Sequence, residues 1–453
     1  MIENQAMLAA VRARMNFLRD RLVSPDGEHK QIARAMITVS IFIILAALPR
    51  VAKEVAVASH YGISAKVDAY LFVFNLVNWP VGIGFSLLTS VLVPLAALIK
   101  QRTPGGLALF RSELLGLIMI VGLALTVAAL LGLPWLVRSS IAGLAPKTAH
   151  IAISIIPLLA WLGFFGMVVN LWSAWMLSAS RHTNSLLEGV PALTIFVTLW
   201  LSGSSNIKAL VWATLAGFIL HAFCLAVPLA RSGDIEVPRL RVTSSEWPIF
   251  WRGFSVMAIG QVLQSLGALA DQFFAAHLNV GAIATLGYAN RILSLILTLG
   301  ATAVTRASLP IFSRMQTEGS LQIRRTSNIW AIILFVAGIG ATIISWLLAP
   351  WIVTVIFERG AFTTHDVGAV TKVLRFGLTQ LPVYVPGIVL VSALLARRKY
   401  VVLTIISSFN LLVKLFFNWL LVPYFGIGGV MLATSLMYAS STIAALLAVH
   451  KDW

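Results

Sequence analysis

Long apolar runs alternate with short polar breaks along almost the whole chain. Runs of about 20 residues are long enough to cross a bilayer core. They predict helical spans near 33–59, 68–98, 107–135, 149–179, 185–202 and 207–230. A polar connection at 231–247 follows, and then a second set near 248–277, 281–312, 327–356, 367–396, 400–422 and 427–449. The expectation is an all-α membrane protein of about twelve transmembrane helices. Two pseudo-symmetric six-helix lobes, 32–230 and 248–453, would flank a central cavity and be joined by a cytoplasmic linker at 231–247. An internal repeat supports six plus six. Glu54 and Asp271 are 217 positions apart, as are His60 and His277, while Pro94 and Pro310 are 216 apart. Pro49, Pro80, Pro157, Pro191, Pro382 and Pro386 fall within or beside spans, where membrane helices tolerate kinks.

The segment 1–31 reads differently. Leu8, Val11, Met15, Leu18 and Leu22 recur at three- and four-residue steps, and Arg12, Arg14, Arg19 and Arg21 cover much of the rest. That pattern predicts a cytoplasmic amphipathic helix over 4–23, lying on an anionic membrane surface.

Composition closes off other classes. Hydrophobic residues make up 59% of the 453 and charged residues 11%, against about 25% charged in soluble domains. The net charge of +17 is explained by topology rather than by nucleic acid. With the N-terminus inside, the inner segments hold 20 Lys and Arg and the outer loops five. This positive-inside bias predicts that both termini are cytoplasmic. No continuous basic face of the kind nucleic acid requires is present. Cys224 is the single cysteine, so an intrachain disulfide is excluded. No cleavable signal peptide is expected, because the first 30 residues lack an apolar core followed by a small-residue site.

The residues that break the apolar runs are the candidate site. Arg50, Lys53, Arg291, Lys372, Arg375 and Lys414 fall in the half of the spans expected to face outward, with Glu54, Asp271 and Asp68 as the acids. Charges at such depth cost roughly 2.5–3.5 kcal/mol each on insertion scales and so turn inward, to water, partner or substrate. Arg50 and Glu54, four apart, are expected to pair. Six cations against three anions predict an anion-attracting cavity, and arginine suits phosphate because its planar fork binds two oxygens. Arg306 is expected to snorkel or to line the inner side of the path. Asp68 and Arg252, near span ends, are expected to cap or snorkel. His60 and His277 are read as interfacial packing, Glu188 as complementing a helix N-terminus, and Trp79, Trp135 and Trp351 as interfacial anchors. No catalytic or metal-ligating spacing is found, so an enzyme is not expected and no cofactor is called for.

These residues resemble those of MurJ-type (MviN) lipid II flippases. The resemblance is carried by Arg50-Val51-Ala52-Lys53-Glu54 through Tyr61-Gly62 to Asp68-Ala69-Tyr70, and by Tyr288-Ala289-Asn290-Arg291. Phe357-Glu358-Arg359-Gly360-Ala361-Phe362-Thr363 carries it most specifically, and Asn418-Trp419-Leu420-Leu421-Val422-Pro423 continues it. It covers residues 33–449 in order. It implies alternating access between two six-helix lobes in the bacterial inner membrane, moving a polyprenyl-pyrophosphate-linked saccharide from the cytoplasmic to the outer leaflet for peptidoglycan and cell-wall synthesis. Membrane lipids and cell-envelope biosynthesis proteins would be the partners. By position it implies that Lys53, beside Glu54, and Arg291 hold the diphosphate; the charge map adds Arg50 to them and has Lys372 and Arg375 drawing it outward. The chain departs from the family where Lys53 replaces an arginine, where Trp79-Pro80-Val81-Gly82 replaces an arginine-bearing run, and in showing twelve spans rather than fourteen.

Some members of that family hold a sodium ion between the seventh and eleventh spans. In this chain Asp271, Lys414 and Asn418 are the residues expected there, with the Lys414 ammonium in the cation's place. That placement predicts sodium-independent transport, and Na+ or H+ coupling is kept only as the alternative. The alternatives are a multidrug/cation antiporter of the same superfamily, an exopolysaccharide or O-antigen repeat-unit flippase, and a non-transporting scaffold.

Overall fold

The computed structural model describes residues 48–450 apart from 103–105, 180–183, 204, 316–319 and 398, and leaves out the side chains of 101–102, 185, 256, 299, 303, 305–315, 320–322 and 400. The expected amphipathic helix at 4–23, the start of the first span and the Arg306 side chain lie outside the described residues. Every described element is a helix. These are α1 (48–61), α2 (Ala65–Arg102), α3 (Gly106–Arg138), α4 (Pro146–Leu159), α5 (Leu162–Ser178), α6 (Asn184–Leu187), α7 (Val190–Ser202), α8 (Ile207–Arg231), α9 (Trp247–Ala276), α10 (Ala282–Met315), α11 (Ser320–Phe357), α12 (Thr364–Leu378), α13 (Leu381–Ala396), α14 (Tyr400–Phe425) and α15 (Ile427–His450).

Eight of the described helices are long and apolar enough to cross a membrane, or ten crossings if each of two bent pairs is one broken span. The pairs are α4–α5, bent by 48°, and α12–α13, bent by 41°. They correspond to the expected spans 149–179 and 367–396. The bends follow from proline. Pro157 cannot donate the hydrogen bond that would continue α4, and Pro382 sits in the first turn of α13, where a missing donor costs nothing.

At one end of the bundle the two halves merge. A single buried core there runs from α1 and α2 through α4 and α8 into the end of α9, the start of α10, and α11, α12 and α15. Away from that end the core divides. One cluster belongs to α2, α3, α5 and α8 and also takes in Trp247 and Phe250 from the start of α9. The other belongs to α10, α11, α13, α14 and α15. The halves are thus joined at one end and separately packed at the other.

The joined end is closed by backbone. Asp68 accepts from the N–H groups of Gly281 and Ala284, capping α10 from the other half. The Ala361 N–H donates to the Ser59 carbonyl at 2.7 Å, and Tyr288 Oη donates to the Gly62 carbonyl at 3.2 Å. Gly62 and Gly360 meet in this contact, both left-handed (φ 54° and 58°), and a Cβ at either would collide with the facing backbone carbonyl. Tyr288, Phe357 and Phe362 pack their rings within 5.1–5.6 Å of each other beneath it. We call this the capped end.

The connection at 231–247 is a strap laid along α3. Arg111 pairs with Asp234 at 2.5 Å, and the Arg239 N–H donates to the Ser112 carbonyl at 2.9 Å. Glu113, 2% exposed, accepts from the N–H groups of Thr243 and Ser244 and from Trp247 Nε1. A carboxylate that buried needs several donors, and the strap supplies them. The first turn of α9 is therefore fastened to the first half.

Candidate functional site

Between the joined and the divided ends, α2, α9 and α10 enclose a cavity of ≈ 510 Å³. Its polar wall comes from helical spacing. Asn75, Asn78 and Ser86 lie on one face of α2, Gln261, Ser265 and Gln272 on one face of α9, and Asn290, Arg291 and Ser294 on α10. Trp79 Nε1 donates to Ser265 Oγ at 2.9 Å, and Gln272 Nε2 donates to the Phe72 carbonyl at 2.9 Å, which knits α9 to α2. Trp79 is thus part of the cavity wall and not the interfacial anchor expected. Beyond Ser86, Gln261 and Ser294, Ser90, Met257, Gly260, Leu295 and Thr298 are exposed, so the cavity opens away from the capped end.

Arg291 and Asp271 are the charged residues that line it. Arg291 is half exposed (48%), and its Nε lies 2.9 Å from Glu54 Oε1. The same Glu54 oxygen lies 2.8 Å from Lys53 Nζ, and these two side chains are mostly buried (14% and 18% exposed). Two cations share one carboxylate, which leaves this cluster one positive charge in excess. Arg50 is elsewhere. It pairs with Glu188 at 3.0 Å with 56% of its side chain exposed, so the expected Arg50–Glu54 pair is replaced by two others. The physical reason is competition: Arg291, from the other half, reaches Glu54 from across the cavity wall. Glu188 consequently serves as the Arg50 partner rather than as a helix-end charge.

Asp271 is engaged from behind the wall. Lys414 Nζ lies 2.7 Å from its Oδ2, and Asn418 Nδ2 donates to its Oδ1 at 3.0 Å. Lys414 also donates to Thr434 Oγ1 at 3.1 Å, and it is 7% exposed. An ammonium so enclosed adds nothing to the field in the cavity. Asn418 is fully buried, so the set α9–α14–α15 is a closed polar cluster.

Lys372 and Arg375 are a correction to the expectation. Neither lines the cavity. Lys372 is exposed, and Arg375 turns to α11, its guanidinium 4.0 Å over the Trp346 ring and its Nε donating to the Trp346 carbonyl. One helical turn apart, they share a face of α12, but that face looks away from the cavity. The dense cationic hollow is corrected with them. The lining is amide- and hydroxyl-rich, with Arg291 as its one positive residue among those described and Lys53 behind it on Glu54. Sequence reasoning missed the amides, although their three- and four-residue spacing on α2 and α9 marks a polar stripe in an otherwise apolar helix. Among the described residues no group of His, Cys, Asp or Glu could hold a metal ion.

Comparison with known proteins fits this architecture. Residues 57–453 match the family Lipid II flippase MurJ. The chain belongs to that family. Among its relatives are a probable lipid II flippase MurJ of Buchnera aphidicola subsp. Baizongia pistaciae, 21% identical over 419 residues and covering 89% of this chain and 81% of its own length, and the lipid II flippase MurJ of Burkholderia cenocepacia, 22% identical over 441 residues and covering 92% and 84%. A solved structure of lipid II flippase MurJ in an inward closed conformation superposes with a TM-score of 0.79 at 20% identity, over 92% of this chain and 88% of that one. An inward-facing multidrug resistance MATE family transporter gives 0.73 at 17% identity, over 89% and 94%. The all-α, multi-span transporter fold is shared with both, and the chain is a membrane transporter rather than an enzyme.

Proposed function

We propose that this protein flips a polyprenyl-diphosphate-linked saccharide, lipid II or a related cell-envelope glycan precursor, from the cytoplasmic to the outer leaflet of the bacterial inner membrane. The observation that carries the reading is Arg291: half exposed in the cavity, oriented by a buried Glu54, and backed by Lys53. Guanidinium binds diphosphate oxygens in pairs, and the one-charge excess of the cluster fits an anionic group. Amides and hydroxyls around it suit the hydroxyl and amide groups of a saccharide.

The lysine and arginine distribution, 20 against five, supports an orientation with both termini in the cytoplasm. The capped end then faces outward and the cavity opens inward. Residues 32–230 and 248–453 act as the two lobes, with 231–247 as the cytoplasmic linker. Alternating access requires the joined core and the Asp68, Gly62 and Gly360 contacts to part while the divided ends close.

The Lys414–Asp271 pair supplies internally the positive charge that a coupling ion would bring. Transport is then independent of sodium. Equal flipping rates in sodium and choline media are expected, and sodium dependence of the unmutated chain would end this part of the reading. The same pair weighs against a multidrug/cation antiporter, since the acid that lines the cavity is already neutralised.

The test is growth of a strain depleted of its own lipid II flippase. The unmutated chain restores growth and Arg291→Ala does not. Equal rescue by Arg291→Ala removes the arginine from the mechanism. Failure of both, with normal membrane insertion, assigns the cargo to another lipid-linked glycan.

A further inference from the structure

A second hollow, of ≈ 190 Å³, lies at the capped end between the end of α1 and the first turns of α2 and α4. It shares no lining residue with the central cavity. Its walls are His60, Tyr61, Ser64, Ala65, Lys66, Lys147 and Ile151, two lysines and no acid.

Among the described residues the two charges are not neutralised. Lys66 Nζ donates to the Ser205 carbonyl at 2.8 Å, a neutral partner that orients the ammonium without cancelling it. Neither Lys66 nor Lys147 forms an ion pair among the described residues. Asp68, the acid nearest in sequence, is spent on the start of α10. His60 Nδ1 lies 2.8 Å from the Ala56 carbonyl, which can only accept, so Nδ1 carries the proton and this bond fixes the ring at the rim. The Ser64 hydroxyl is buried in this wall with no hydrogen-bond partner. Buried hydroxyls are ordinarily satisfied, and an unfilled one on a cationic hollow marks a place for an acceptor.

We propose that this hollow binds a phosphate group: Lys66 and Lys147 as the charged donors, Ser64 Oγ as a neutral donor, and the His60 ring at the rim. Lysine holds phosphate as a point charge, which suits a group approached from several sides. The hollow sits at the helix ends, at the level of lipid headgroups. Either a phospholipid headgroup or a soluble phosphate could supply the same chemistry.

The experiment uses the purified full chain. Inorganic pyrophosphate is titrated in detergent, and retention of phosphatidylglycerol against diacylglycerol, which lacks phosphate, is read by native mass spectrometry. Pyrophosphate binding that survives Arg291→Ala, or selective phosphatidylglycerol retention, is expected, and which of the two occurs identifies the source. The Lys66→Gln/Lys147→Gln double variant should weaken it about tenfold through loss of two charge-assisted contacts. Lys208→Gln, an exposed lysine outside the hollow, should leave it unchanged. Lys147→Glu is the second variant, since an acid in the first turn of α4 favours that helix and protects folding. It too should lower affinity. The proposal is overturned if neither probe binds, if diacylglycerol is retained equally, or if the lysine variants bind like the parent. Loss of binding in Arg291→Ala with the lysine variants intact also overturns it, because the phosphate would then be in the central cavity.

Discussion

Glu54 and Asp271 stand 217 positions apart in the sequence, yet they are used in opposite ways. Glu54 holds two cations, one of them on the far half and half exposed to the cavity. Asp271 holds a single cation from its own half, with both side chains nearly shut off (13% and 7% exposed) and an asparagine completing the set. One acid therefore presents a positive charge to whatever enters, while the other consumes one. The identity of the helix behind each acid decided its role. The first cluster also spans the two halves and must change when they move, whereas the second can ride with its half unchanged.

The sharpest way to break this contrast is to open the closed pair. Lys414→Ala strands a buried carboxylate, and removing one member of such a pair costs about 3–5 kcal/mol. A clear fall in thermal midpoint in detergent is expected, with Asp271→Asn/Lys414→Gln recovering much of it. If Lys414→Ala melts like the parent, Asp271 is not held by the lysine. At the open cluster the expectation reverses. Arg291→Ala should leave stability within about 1 kcal/mol, as for partly exposed ion pairs, and abolish transport, with Arg291→Lys intermediate because the fork is lost.

Glu54→Gln sharpens the comparison. Without its acid, the cluster presents both Lys53 and Arg291 to the cavity. Tighter binding of a diphosphate-bearing ligand is expected together with slower release, so steady-state flipping falls while affinity rises. A drop in affinity would show that Glu54 positions Arg291 more than it neutralises it. The smallest effect belongs to Arg375. An exposed cation over an indole contributes about 0.5–1 kcal/mol, so Arg375→Ala should shift the thermal midpoint slightly and leave transport intact. Lost transport there would return Arg375 to the pathway.

The polar stripe on α2 shows how much of the site could be read from the chain. Asn75, Asn78, Gly82 and Ser86 recur at helical steps, a local pattern that needs no knowledge of the partner helix. The same holds for the capped turns, where Gly62 and Gly360 mark reversals that side chains would obstruct. Lys372 and Arg375 mark where such reading fails. Their spacing places them on one face of α12, but only packing against α11 shows that this face meets Trp346.

By itself the sequence determined the all-helical, multi-span class, the family resemblance and the charged positions within the apolar runs, because apolar run length and helical period are local properties of the chain. Only the tertiary structure decided which cation meets which acid, which half shares the capped core, and which charge is left over for the cavity. Ion pairing in a membrane bundle is settled by the nearest competing partner on another helix, and that neighbour can lie hundreds of residues away.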